Sequence, residues 1–227
     1  MSNQPSQEVT LLDNISLTNL GAYMLFDEVN EESAYHLCEY LLKANLICNQ
    51  DDTLTVFINS GGGSVTDGWA IIDVMETSKL DISTVALGCI ASMAVLIFVA
   101  GAKGKRIMTE KTAVMTHQFS TAFYGKQHEL IAARKFHDTL ERQFIDHFLR
   151  HTKMTEKQIR DVLLRPSDTW LTAEECLKYG ICDEIRNPFD RSEAAPKQKK
   201  SSRKKTSSKP VESDLPKAEL ATSDSTK

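Results

Sequence analysis

From Val85 to Ala102 the chain is apolar except for Ser92 and two glycines, Gly88 and Gly101. No other stretch restricts the fold as strongly, because a segment this hydrophobic belongs either in a bilayer or at the centre of a core. Its length approaches the roughly 20 residues of a membrane-crossing helix, and the KGKR that follows could serve as a positive flank. Three features favour a split instead. Thr84 and Val85 are β-branched, a glycine falls midway, and no signal or second span accompanies the run. The opening MSNQPSQEVT lacks the basic and apolar regions of a secretory leader, so neither export nor membrane insertion is expected. The expectation is a buried strand over TVAL, a tight connection from Gly88 to Ala91, and a buried helix opened by Ser92.

The flanking sequence supplies elements to wrap such a core. GAYMLFDEV reads as a short strand, and EESAYHLCEYLLKAN carries Ala34, Leu37, Cys38, Leu41 and Leu42 at helical spacing, with Glu31 and Glu32 in its first turn. TLTVFINS reads as a strand that stops at three glycines, and VTDGWAIIDVMETS returns to a helical period. KRIMTE and TAVMTHQ follow as strands. A long amphipathic helix is expected from about Lys126 to His151, with Phe136, Leu140, Phe144 and Phe148 in one stripe. TEKQIRDVLL reads as a further helix capped by Thr155, and TAEECLKYGICDEI as a helix stopped by Gly180 before a closing strand. This alternation argues for an α/β fold with a largely parallel sheet.

Charge and cysteine usage exclude some functions. The segment from Asp190 to Lys227 holds ten Lys/Arg against six Asp/Glu, which leaves 17 basic against 25 acidic residues before it. An acidic body does not fit a nucleic-acid face, which needs clustered positive charge. The basic end, AAPKQKKSSRKKTSSKP, lacks the interleaved aromatics that stack on bases and reads as a solvated, disordered tail. Five cysteines (Cys38, Cys48, Cys89, Cys176 and Cys182) never spaced C-x-x-C fit neither a disulfide framework nor a zinc knuckle, and imply a reduced, cytoplasmic setting.

A serine that opens a helix after a strand presents its hydroxyl where helix-terminal N–H groups stabilise negative charge, although an N-cap would look the same. It becomes a nucleophile only with a base, itself held by a third group. His128, His137, His147 and His151 fall on the long helix and His36 on the first one, where solvated helix faces account for them. The i, i+4 pair His147 and His151 could bind a metal, but neither a helper carboxylate nor an HExxH pattern accompanies it. His117 differs, because it ends the strand TAVMTHQ and can be presented at a sheet edge. The glycines at 61 to 63 are not a phosphate loop, since Trp69 and Ala70 stand where Lys and Ser/Thr are needed. They are either a flexible turn or bare backbone that lets N–H groups approach a substrate.

Taken in order and spacing, FINSGGGSVTDGWAIIDVM, GCIASMAVLIFVAGAKGKR, VMTHQ and DTWLTAEECLKYGICDEI resemble the proteolytic subunit of the Clp protease, the ClpP family of caseinolytic serine peptidases. The resemblance covers about residues 15 to 187, with a short segment 1–14 before it and the tail 188–227 after it. It implies a crotonase-like fold of repeated strand-strand-helix units with a protruding long handle helix. It further implies a Ser-His-Asp triad of Ser92 as nucleophile, His117 as general base and acid, and Asp168 as the orienting acid, with oxyanion donors at the N–H groups of Gly63 and Met93. Such a site would hydrolyse peptide bonds of unfolded polypeptides through an acyl-enzyme and needs no cofactor or metal. Implied partners are further copies of the chain, in heptameric rings stacked into a tetradecamer through the helix at Lys126 to Arg150, and an AAA+ Clp ATPase unfoldase. The sequence departs from the family pattern in four places. Gly61 and Phe119 each replace a proline. Two extra residues fall between Ile159 and Asp168, which makes Asp161 a rival to Asp168. The N-terminus is short, and the aromatics expected near Thr55 and Phe57, where the ATPase docks, are partly kept. Alternative readings are a silent ring subunit, which would normally lack triad members, and an acyl-CoA enzyme, for which a carboxylate catalyst and a CoA surface are missing.

Overall fold

The structure, a computed structural model, describes residues 16–186. The expected N-terminal segment 1–14 and tail 188–227 lie outside the described residues. A 3-10 turn (Leu17–Leu20) leads into β1 (Ala22–Leu25), α1 (Glu31–Ile47), β2 (Thr53–Ile58), α2 (Val65–Glu76), β3 (Asp81–Ala86) and β4 (Cys89–Ala91). Then come α3 (Met93–Val99), β5 (Arg106–Met108), β6 (Ala113–Thr116), α4 (Gln127–His151) and α5 (Glu156–Gln158). A π-helical turn (Ile159–Leu163), β7 (Thr169–Leu171), α6 (Ala173–Tyr179) and β8 (Glu184–Ile185) complete the order.

Two sheets result. The larger runs β1-β2-β3-β5-β8, with every pair parallel, and the smaller runs β4-β6-β7, its last pair antiparallel. β3 is buried at every position but its first, as a strand covered on both faces must be. In β2 the burial alternates, with Leu54, Val56 and Ile58 inward. The apolar run that opened the sequence thus divides between β3, β4 and α3, and all seven residues of α3 are buried. This helix packs on α2, α4, β3, β4 and β6 and forms the centre of the molecule. Among the described residues no helix is long and apolar enough to cross a membrane.

The stretch expected as a tight connection, Gly88 to Ala91, is instead mostly strand β4. Gly88, at φ 61, turns the chain off the first sheet, and the side-chain oxygen of Asn59 accepts the N–H of Cys89. The next residues then pair with Ala113–Met115 to begin the second sheet. Short strands of this kind carry too few residues to show a period.

Helix ends follow their local chemistry. Asn30 and Ser33 cap the start of α1 reciprocally, and Thr172 and Glu175 do the same for α6. Gly180, at φ 74, ends α6 in the left-handed conformation. Arg106, only 4% exposed, donates to the His151 carbonyl at the end of α4 and to both carboxylate oxygens of Asp183, at 2.9 and 2.6 Å. α4 itself is anchored only along its second half, where Leu140, Phe144, Ile145, His147 and Phe148 are buried. Phe136, expected in the same stripe, is 47% exposed, and Leu130 and Ile131, nearer the start of the helix, are exposed as well.

Candidate active site

Ser92 is the joint between β4 and α3. Its N–H donates to the Met115 carbonyl at 2.9 Å, which carries the β4–β6 ladder one residue further. Its backbone sits at φ 52, ψ −124, and it is the one non-glycine residue with positive φ among the described residues. This conformation, that of the first central residue of a type II′ turn, is one glycine normally takes. It lets the chain pass from strand to helix within one residue. It also keeps the hydroxyl from folding back as a cap, and the side chain makes no hydrogen bond to α3. The N–H of Met93 at the start of the helix therefore has no acceptor among the described residues.

The glycine loop between β2 and α2 packs directly on this joint. Ser60 anchors it, donating through Oγ to the Asp27 carbonyl at 2.6 Å and accepting the Ala91 N–H on its own carbonyl at 2.9 Å. A Cβ on Gly62, at φ 85, would lie 2.5 Å from the Ala91 oxygen and 2.8 Å from the Met93 nitrogen, so no side chain fits there. Gly63 forms a parallel bridge with Val29, whose N–H donates to the Gly62 carbonyl at 2.8 Å and whose carbonyl accepts from Ser64 at 2.7 Å. In that pairing the N–H of Gly63 points away from Val29, and it has no acceptor among the described residues. Two free backbone donors, Gly63 and Met93, thus flank the Ser92 turn. Gly62, whose missing side chain makes the close approach possible, was not singled out from the run of three glycines.

His117 follows the last residue of β6 and lines one cleft together with Ser92, Met93, Phe119, Phe144 and Leu164. Its Nδ1 lies 2.7 Å from the Gln118 carbonyl. A carbonyl only accepts, so Nδ1 carries the hydrogen and Nε2 is left as the acceptor, the tautomer a general base requires. Asp168 immediately precedes β7. Because Thr116 pairs with Thr169 in the antiparallel β6–β7 ladder, the next positions along that register are His117 and Asp168. The backbone therefore brings the two together, whereas their side chains do not meet: no hydrogen bond joins His117 to Asp168 or to Ser92, and the exposed Asp168 carboxylate has no partner among the described residues. The rival, Asp161, lies in the π turn, exposed and paired with Lys157.

The cleft beside Ser92 is nearly filled. Its volume of about 20 Å³ holds no more than one water. Phe119 stacks on Phe144 with ring centroids 5.2 Å apart and lies 4.6 Å from the ring of His137, which closes one wall. Leu163 and Leu164 close another. They come from the π turn and its end, where the Leu164 N–H reaches the Ile159 carbonyl at 3.0 Å.

The histidines divide differently from the sequence expectation. His36 and His128 are exposed, as expected for a solvated face, and His137 is half-buried against Phe119. His147 is fully buried, because the base of α4 lies on α2 and α3. A carboxylate does stand beside the His147 and His151 pair, and it comes from another helix: Glu76, at the end of α2.

Comparison with known proteins identifies the family. Residues 8–188 match the family model described as Clp protease. Proteolytic subunit 2 of the ATP-dependent Clp protease of Mycolicibacterium paratuberculosis is 33% identical over 187 residues, covering 80% of this chain and 90% of the relative. The protein of the same name from Nocardia farcinica is 36% identical over 161 residues, covering 70% of this chain and 76% of the relative. That from Rhodococcus jostii is 35% identical over 161 residues, or 70% and 80% of the two chains. By the span of the family match and the identity of these relatives, the chain belongs to the Clp protease family.

Proposed function

We propose that the chain is a serine endopeptidase that hydrolyses peptide bonds of unfolded polypeptides, with Ser92 as nucleophile, His117 as base and acid, and Asp168 as the group that orients His117. The observation that carries this reading is the strained Ser92 turn, flanked by the free N–H groups of Gly63 and Met93 and sharing its cleft with His117. In the reaction, Ser92 Oγ attacks the substrate carbonyl and its proton passes to His117 Nε2. The Gly63 and Met93 N–H groups hold the resulting oxyanion, a stabilisation worth about 2.7–4 kcal/mol per donor. His117 then delivers the proton to the leaving amine, and water repeats the sequence on the acyl-serine with His117 again as base.

The arrangement of the single chain is idle. His117 Nδ1 is engaged by its neighbour's carbonyl, and the cleft is closed by Phe119. Activity requires Nδ1 to exchange the Gln118 carbonyl for the Asp168 carboxylate, and assembly with further copies is the event we assign to that change. The exposed apolar side chains of Leu130, Ile131 and Phe136 along the unanchored half of α4 support ring stacking through this helix. The relatives are named as proteolytic subunits of an ATP-dependent protease, which supports an ATP-hydrolysing partner. In our reading that partner is an unfoldase that delivers substrate, and the setting is the cytoplasm.

A fluorophosphonate probe tests the reading. It should label Ser92 in the assembled protein, with labelling abolished in Ser92→Ala and strongly reduced in His117→Ala and Asp168→Asn. A short fluorogenic peptide should be hydrolysed without ATP. Absence of labelling in assembled rings would instead identify a silent subunit that keeps the idle arrangement.

A further inference from the structure

We infer that Glu76, His147 and His151 form a binding site for a divalent cation of the zinc class, which fastens the base of α4 to α2. The three side chains offer two imidazole nitrogens and one carboxylate oxygen, all within 4.8 Å of one another. His147 and His151 are one helical turn apart on α4, the spacing that aims two rings at one point, and Glu76 reaches the same point from the end of α2.

The decisive group is His147, which is 0% exposed. Its Nε2 lies 2.9 Å from the carbonyl oxygen of Leu96 in α3, so Nε2 carries a hydrogen and donates it. The opposite nitrogen, Nδ1, points at Oε1 of Glu76 from 3.6 Å, too far for a hydrogen bond, and has no hydrogen-bond partner. In the neutral ring, Nδ1 is a bare lone pair facing a carboxylate oxygen, with Trp69 and Phe148 packed edge-on around the imidazole. Two electron-rich atoms held together without an intervening donor are the surroundings a cation satisfies. The backbone bond at Nε2 is also the outer contact that metal-bound histidines characteristically make, since it fixes the tautomer and aims the other nitrogen.

The remaining ligands can reach the same point. His151 Nε2 donates to the same Oε1 at 2.9 Å, and metal entry replaces that proton, which moves to Nδ1 or is released. A tetrahedral zinc with bonds of about 2.0–2.1 Å needs ligand atoms roughly 3.3 Å apart, within the span these groups already cover. Arg150 holds the second carboxylate oxygen, Oε2, at 3.2 Å, which leaves Oε1 as a single-oxygen ligand. A fourth position opens toward a cavity of about 560 Å³ lined by both Glu76 and His151, which provides an entry path and room for a bound water. Sequence alone showed the histidine pair but not the carboxylate, because Glu76 joins the pair only through the packing of α2 on α4.

The test uses the untagged full-length chain after chelator treatment and dialysis. Titration with Co2+ should give a visible d–d absorption that saturates at one ion per chain and is displaced by one equivalent of Zn2+. Zn2+ should raise the thermal midpoint by several degrees. X-ray absorption of the zinc form should show two imidazoles. Glu76→Gln and His151→Gln should each weaken binding by about 100-fold or more, beyond what loss of an outer contact costs, while His128→Gln, on the exposed part of the same helix, should leave it unchanged. Absence of both absorption and midpoint shift in the unsubstituted protein overturns the inference whatever the variants do. So does a signal that survives in both Glu76→Gln and His151→Gln, or a zinc shell without imidazole. None of these readouts depends on peptidase activity.

Discussion

Replacing Ser92 by glycine and by alanine separates the two consequences of its unusual backbone. Both substitutions remove the hydroxyl, and since that hydroxyl makes no hydrogen bond within α3, its loss alone should hardly change stability. Alanine keeps the Cβ and with it the strain of φ 52, ψ −124, a conformation that costs a non-glycine residue on the order of 1–3 kcal/mol. Glycine releases that strain but gives back about 0.5–1 kcal/mol through its more flexible unfolded chain. The expected net effect is that Ser92→Gly is more stable than Ser92→Ala by about 1 kcal/mol. In a domain of this size, that corresponds to about 2–4 °C in thermal midpoint. Thermal and urea denaturation of the two proteins, compared at one concentration and in one assembly state, measures the difference directly. Both variants lack the Ser92 hydroxyl, so its reactivity does not enter the comparison. Equal midpoints, or a less stable glycine variant, would refute the claim that the Ser92 turn stores strain.

The glycine loop and the buried ion pair give further expectations. Gly61 has open space where a Cβ would stand and no left-handed φ, so Gly61→Ala should leave stability unchanged or raise it by about 0.4–1 kcal/mol. Gly62→Ala, whose Cβ would lie 2.5 Å from the Ala91 oxygen, should destabilise the protein and suppress labelling of Ser92; both are read by denaturation and the same probe. Asp183→Asn leaves the buried Arg106 guanidinium unpaired and should cost about 3–5 kcal/mol, measured by urea denaturation. Burial alone would raise the Asp183 carboxyl, but Arg106 and the N–H groups of Gly104 and Arg106 outweigh it and hold it below the ordinary value. Its stabilisation should therefore be complete above the unfolded carboxylate range and be lost as the pH falls through the lowered value. The gap between the two proteins should narrow in acid, and a gap independent of pH would refute the assignment.

How much of this was legible from the chain alone depended on whether the signal was local. The run from Val85 to Ala102 announced a core because burial on all sides needs apolar residues at every position, and α3 is buried throughout. The helix ends at Thr155 and Gly180 were readable because each involves residues within one turn. β4 escaped notice because a strand of three residues is defined by its partner on β6, a sequence neighbour only at long range. The same limit governs the site. The resemblance singled out Ser92, His117 and Asp168, and the β6–β7 register sets the last two opposite each other. No motif could have shown that Nδ1 of His117 is engaged by the Gln118 carbonyl, since that choice is made by one side-chain rotation after the backbone is fixed. Nor could periodicity have distinguished His147 from His128 on the same helix; one is sealed under α2 and the other is solvated because α4 is anchored only along its second half. Phe119 meets both Phe144 and His137 of α4, so on the proposed reading whatever seats this helix against a neighbouring copy would also act on the wall of the cleft that holds His117. Phe119→Ala should open that wall, and peptide hydrolysis by the variant should then depend less steeply on protein concentration than hydrolysis by the unsubstituted chain. An unchanged concentration dependence would separate assembly from the alignment of His117.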